Sequence, residues 1–111
     1  MKVLAWVVAA ALVLPAVAPG NRHTWHLFVV RSPRRRQLQD ELAAHGVGTL
    51  IHYPLPPHLQ PAYADMGLGR GAFPISEEIH EQVLSLPMGP HLGDDAAGYV
   101  IDSVQRVLAA G

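Results

Sequence analysis

The chain has 111 residues, half of them hydrophobic and none of them cysteine. That length holds one small domain with a real core, and the missing thiols exclude disulfides, thiolate nucleophiles and cysteine-based zinc sites. Eight Lys and Arg stand against nine Asp and Glu, so charge recommends the chain neither to nucleic acid nor to an anionic membrane.

The N-terminal stretch admits two readings. Lys2 precedes an unbroken apolar run from Val3 to Leu14, and Ala16-Val17-Ala18 offers small residues at the spacing a signal peptidase accepts. The run is short for a membrane span, which needs about 20 apolar residues. As a signal, it would leave an exported domain beginning near Pro19. As a buried element of a longer protein, it would leave the chain in a reducing cytoplasm, which the cysteine-free composition fits. Either way the chain divides into an apolar segment, 1–18, and a domain, 19–111.

Thr24 to Val30 is rich in β-branched and aromatic residues and predicts a strand, with Trp25, Leu27 and Val29 on one face and Phe28 and Val30 on the other. Ser32 and Pro33 are placed as N-cap and first residue of a helix running to about His45. Leu38 and Leu42 lie one turn apart on its core face, and Gly46 ends it as a left-handed cap. The Arg34-Arg35-Arg36 run at its start reads as solvated surface. Gly48 to Tyr53 predicts a second strand, which Pro54, Pro56 and Pro57 stop at once, since proline donates nothing to a ladder. Pro54 to Pro74 is an irregular connection, long for a compact domain and of the kind that is often functional.

Ser76 is placed to cap a third helical segment, with Glu77 and Glu78 at its positive end and Ile75, Ile79 and Val83 at a four-residue spacing. Leu84-Ser85-Leu86 predicts a short strand. The last helix is the clearest: Ala97, Val100, Ile101, Val104, Val107 and Leu108 form one helical face, with Asp94 and Asp95 in the first turn and Arg106 in the last. The order β-α-β-loop-α-β-α predicts an α+β fold, a small sheet with helices on one face. Strand order is not determined by the pattern.

Seven histidines invite a metal site: His23, His26, His45, His52, His58, His80 and His91. None falls in a His-Glu-x-x-His pattern or a recognised zinc spacing, so no metal ligand is assigned. No serine sits in a Gly-x-Ser-x-Gly elbow, and the glycines of Gly67 to Gly71 match neither a phosphate loop nor a dinucleotide fingerprint. One segment stands apart. His52 to Tyr63 packs two imidazoles, two phenols and an amide into twelve residues stiffened by proline. A stiff loop loses little entropy on ordering around a ligand, and its Tyr and His side chains can stack or donate hydrogen bonds. A purely structural proline turn has the same composition, and the residues alone do not separate the two.

Set in order, these segments resemble the C-terminal domain of the DegT/DnrJ/StrS sugar aminotransferases. The likeness is carried by Pro15 to Asn21, His23 to Arg31, Gly46 to Thr49, the His-Tyr-Pro-x-Pro-x-His-x-Gln run from His52 to Gln60, and Leu84-Ser85-Leu86-Pro87-Met88. It extends over about Pro15 to Leu108, with Trp25 where the family often has tyrosine. Because it takes in Pro15 to Asn21, it favours a buried element over a signal. The resemblance implies the small domain of a fold-type I enzyme that transfers an amino group from glutamate to a nucleotide-linked keto-sugar. Pyridoxal phosphate is then the electron sink, held by a lysine in a large domain, with the active site at a homodimer interface. It further implies that the C-terminal domain covers the sugar-nucleotide pocket, making His52, Tyr53 and His58 the candidates for substrate contact. The only lysine here is Lys2, outside the matching stretch. The expectation is therefore an aminotransferase portion that binds no pyridoxal phosphate by itself and has no catalytic residue of its own; a non-catalytic nucleotide-sugar-binding or docking module is the other reading.

Overall fold

The computed structural model describes residues 12–110, so the expectations for Val3 to Ala11 lie outside the described residues. Two strands form the sheet, β1 (Phe28–Arg31) and β2 (Val83–Leu86), paired antiparallel with Phe28 opposite Leu86 and Val30 opposite Leu84. Single bridges extend it on both sides: Val13 pairs with Arg31, and Leu50 with Ser85. The lanes therefore run Val13, β1, β2, Leu50, which gives the strand order that the pattern left open.

Alternation along the strands separates two faces. Phe28, Val30, Leu84 and Leu86 point into the core, where they meet Leu38 and Leu42 of helix α1 (Arg35–Ala44) and Val104 and Val107 of helix α3 (Asp94–Ala110). Ser85 points to the opposite face and is also buried. A third helix, α2 (Pro74–Gln82), abuts the Arg31 end of β1, where the Ser32 N–H donates to the Gln82 carbonyl and the Arg31 guanidinium to Gln82 Oε1. The α+β class with a small sheet is as expected.

Element boundaries differ in instructive ways. The first strand begins at Phe28 rather than Thr24, because Trp25 adopts φ of 51° and breaks the extended backbone. That conformation is unusual for a bulky side chain. It is supported by the Trp25 N–H donating to His23 Nδ1 at 2.7 Å and by stacking of His23, Trp25 and Phe28. Helix α1 starts at Arg35, so its N-cap is Arg34 and not Ser32, and no side chain caps it; the Ser32 Oγ instead accepts the Arg34 N–H at 3.1 Å in a turn that precedes the helix. Gly46 ends the helix with φ of 78°, as its position requires.

The predicted strand Gly48 to Tyr53 shrinks to the one bridge at Leu50, and the connection beyond it holds two 3-10 turns, Pro57–Leu59 and Pro61–Met66. Proline supplies the fixed φ that opens each turn and removes the donors a strand would need. Helix α2 begins at Pro74, so Ser76 lies inside it and caps nothing, and Ile75 is exposed rather than part of a core stripe. Helix α3 continues to Ala110, which places Arg106 before its last turn.

The described end of the apolar N-terminal stretch belongs to this core. Leu12 is 4% exposed, Leu14 packs beside it, and Val13 exchanges both backbone hydrogen bonds with Arg31, at 2.8 and 3.0 Å. Removing a buried leucine side chain forfeits its transfer energy and leaves a cavity. Leu12→Ala is therefore expected to lower the unfolding free energy by about 2–4 kcal/mol, read from urea denaturation. Exposed Val17 should tolerate alanine within about 0.5 kcal/mol.

Candidate functional site

The site is built on the sheet face opposite the helical core. Strand β2 reads Leu84 inward, Ser85 outward, Leu86 inward, so Ser85 is the one polar group that β2 presents there. Its Oγ shares a hydrogen bond of 2.8 Å with His52 Nδ1. The backbone bridge at Leu50, two residues earlier, fixes that reach. His52 is thus half-buried and oriented, while Tyr53 beside it is 62% exposed, with the two rings edge to face at 5.4 Å.

Tyr53 is held by its backbone, not by its phenol. His80 Nδ1–H, on α2, donates to the Tyr53 carbonyl at 2.7 Å. The segment then turns through buried Pro56, the Leu59 N–H donates to the Pro56 carbonyl at 3.0 Å, and Gln60 Nε2 closes the loop on the Leu55 carbonyl at 3.2 Å. The phenols of Tyr53 and Tyr63 stay exposed.

His58 points the other way. It is 7% exposed, edge-on to Phe73 at 4.9 Å, and its Nε2 lies 3.4 Å from Glu77 Oε2. That is ion-pair distance without a formed hydrogen bond, and Nε2 has no other partner among the described residues. Glu77 is well supplied: Gly71 N–H donates to both carboxylate oxygens, at 2.9 and 3.0 Å, and Phe73 N–H to Oε2 at 3.1 Å. The Gly71 N–H, with Phe73 N–H and His58 adding to it, holds the Glu77 carboxyl below the usual carboxylate range against the opposing effect of burial. His58 and Phe73 also border an open cavity of about 440 Å³, with Pro57, Tyr63, Met66 and Leu68. On the core side, a cleft of about 230 Å³ is lined mainly by apolar residues such as Phe28, Met88 and Ile101.

Of the three residues singled out from the sequence, His52 and Tyr53 stand together toward solvent, and His58 is packed beneath the same loop. Three supporting residues carry no such role in the sequence pattern: Ser85 belongs to a predicted strand, His80 is one of seven histidines in no metal spacing, and Glu77 sits at the positive end of a predicted helix. Strand alternation around Ser85 is a signal that could have found it; the partners of His80 and Glu77 come from other segments and leave no local trace. Among the described residues, no three His, Asp or Glu side chains gather closely enough to hold a metal, and no helix is long and apolar enough to cross a membrane.

This small α+β arrangement, a two-stranded sheet packed with helices, is that of the small domain of fold-type I aminotransferases. The sequence profile of the DegT/DnrJ/EryC1/StrS aminotransferase family matches residues 8–105, and the chain belongs to that family. It is 51% identical over 94 residues to the erythromycin biosynthesis sensory transduction protein EryC1 of Saccharopolyspora erythraea, covering 85% of this chain and 26% of that protein. A dTDP-3-amino-3,4,6-trideoxy-alpha-D-glucose transaminase of Streptomyces venezuelae is 50% identical over 93 residues, 84% of this chain and 24% of its own length. The solved structure of S. venezuelae DesV in complex with a ketimine intermediate superposes with a TM-score of 0.88 at 44% identity, covering 96% of this chain and 29% of that one. The chain therefore spans about a quarter of the length of the curated relatives it matches.

The family works with pyridoxal phosphate, which it holds through a lysine amine. Residues 12–110 contain no lysine, and the backbone donors around Glu77 are already committed to its carboxylate. Among the described residues, none supplies the amine through which the family holds the cofactor.

The ionised Glu77 carboxylate has a consequence for stability. Its folded pKa is depressed, so the stabilisation is fully present above the ordinary glutamate value, about 4.3, and is lost as pH falls through the lower, folded value. The urea midpoint of the chain is expected to drop on acidification below about pH 4.3, with Glu77→Gln less stable at neutral pH and less sensitive to that change.

Proposed function

We propose that this chain is the substrate-covering portion of a sugar aminotransferase, which transfers an amino group from glutamate to a nucleotide-linked keto-sugar. The observation that carries this reading is the pairing of an oriented His52 with an exposed Tyr53 on a loop anchored at both ends. A phenol free to donate, beside an imidazole fixed by Ser85, suits a sugar hydroxyl or a phosphate oxygen. His52 and Tyr53 then touch the substrate directly. His58, buried against Phe73 and Glu77, contributes by holding the wall of the neighbouring cavity.

Pyridoxal phosphate supplies the electron sink when bound in the family's enzymes, and with no lysine in residues 12–110 that group belongs to a different part of the catalyst. By itself the chain binds no pyridoxal phosphate productively and is not a transaminase. Its partner surface is that of a homodimer, the arrangement that the family resemblance implies. Cleavage after Ala18 would strip Leu12 from the core and Val13 from its bridge to Arg31. That supports a protein retained in the cytoplasm over an exported one.

A second reading, a binding module without catalysis, draws on the same missing amine. One experiment separates the two. Residues 12–110 are exchanged for the corresponding stretch of the S. venezuelae transaminase, and amino transfer to its dTDP-linked keto-sugar is assayed. Retained turnover is expected, with Tyr53→Phe raising KM about tenfold, the worth of one hydrogen bond to a charged group. A folded, dimeric exchange protein that binds the keto-sugar without turnover would favour the module. The 111-residue chain alone is expected to leave gel filtration free of pyridoxal phosphate.

A further inference from the structure

Helix α2 carries two side chains, Glu77 and His80, three residues apart and therefore on neighbouring positions of one face. Both reach back to the segment between the bridge at Leu50 and the start of α2. His80 holds the Tyr53 carbonyl, and Glu77 holds the Gly71 and Phe73 N–H groups and lies 3.4 Å from His58. We propose that Glu77 is a positioning residue for substrate binding: its carboxylate clasps the far limb of the loop to the 3-10 turn at His58, so that His52 and Tyr53 are presented in one fixed arrangement before the substrate arrives. This rests on the reading of His52 and Tyr53 as the nucleotide-sugar contacts.

Three observations separate the clasp from an ordinary helix cap. First, a cap satisfies donors of its own helix, whereas Gly71 lies outside α2 and His58 belongs to another turn. Second, Pro74 opens α2 without an N–H, so the helix start itself asks for fewer acceptors. Third, the Glu77 side chain is 10% exposed and His58's is 6%, although a glutamate at the first turn of a helix is ordinarily solvated. A carboxylate is drawn under the loop only where it collects enough donors to offset the lost water, and here it collects two backbone N–H groups, with the His58 imidazole 3.4 Å away.

The surrounding charges leave the pair undisturbed. From the limb before α2, Arg70 is directed to Glu81 at 3.4 Å. From α2 itself, Glu78 and Glu81 are exposed and His80 is turned to Tyr53. His58, from the 3-10 turn, is the one countergroup within ion-pair distance of Glu77 among the described residues.

The test uses the full 111-residue chain, NMR, and dTDP-glucose as the probe. Glu77→Gln is expected to speed amide exchange at Gly71 and Phe73, to shift the resonances of His52 and Tyr53, and to weaken dTDP-glucose binding about tenfold, while Val30 and Leu84 keep their protection. If binding is unchanged although Gly71 and Phe73 are released, Glu77 is a local brace only and the proposal fails. If the unsubstituted chain does not bind dTDP-glucose, the substrate reading fails instead. The clasp is then judged by resonances alone: shifts reaching His52 and Tyr53 uphold it, and shifts confined to 71–73 refute it. Should Glu77→Gln not fold, acidification of the unsubstituted chain replaces it. Gly71 and Phe73 should open before Val30 and Leu84, and simultaneous loss of all four would count against the clasp.

Discussion

The antiparallel pairing of Phe28–Arg31 with Val83–Leu86 is the constraint on which the rest of the molecule depends. Strand β2 is buried along its whole length and serves two faces at once. Leu84 and Leu86 knit the helices to the sheet, and Ser85 between them anchors His52 on the other side. Because side chains alternate strictly along a strand, the two roles cannot be separated. A slip of one residue would put the serine in the core and the leucines under the loop. The register that stabilises the fold is therefore the register that orients the site.

Much of the core was legible in the sequence, because hydrophobic spacing reports burial directly. Leu38 and Leu42 on α1, Val104 and Val107 on α3, and the Leu84-Ser85-Leu86 strand all emerged from periodicity, and Gly46 from the geometry of helix ends. What failed did so where a local pattern competed with another demand. Thr24 to Leu27 has strand composition, yet the stack of His23, Trp25 and Phe28 holds the backbone in a turn. Ser76 looks like a cap, but Pro74 had already begun the helix, which no side chain caps.

The site was half legible for a related reason. The residue types of the His52 to Tyr63 run announce chemistry, and their order carries the family likeness. Their division of labour depends on contacts across long sequence separations. His52 meets a serine 33 residues away, Tyr53 is held by a histidine 27 residues away, and His58 faces Glu77. None of these distances is encoded in a local pattern. An exposed tyrosine and a buried histidine five residues apart on one loop become distinguishable only when the helix beneath them is in place.

The outer lanes of the sheet have a further effect. Among the described residues, Val13 and Leu50 each contribute a single bridge. Proline follows each of them within a few positions, at Pro15 and Pro54. Beyond each bridge in that direction, proline withholds the N–H that a foreign strand would need to continue pairing. On that side of each bridge, the described residues thereby offer a poor template for growth into fibres.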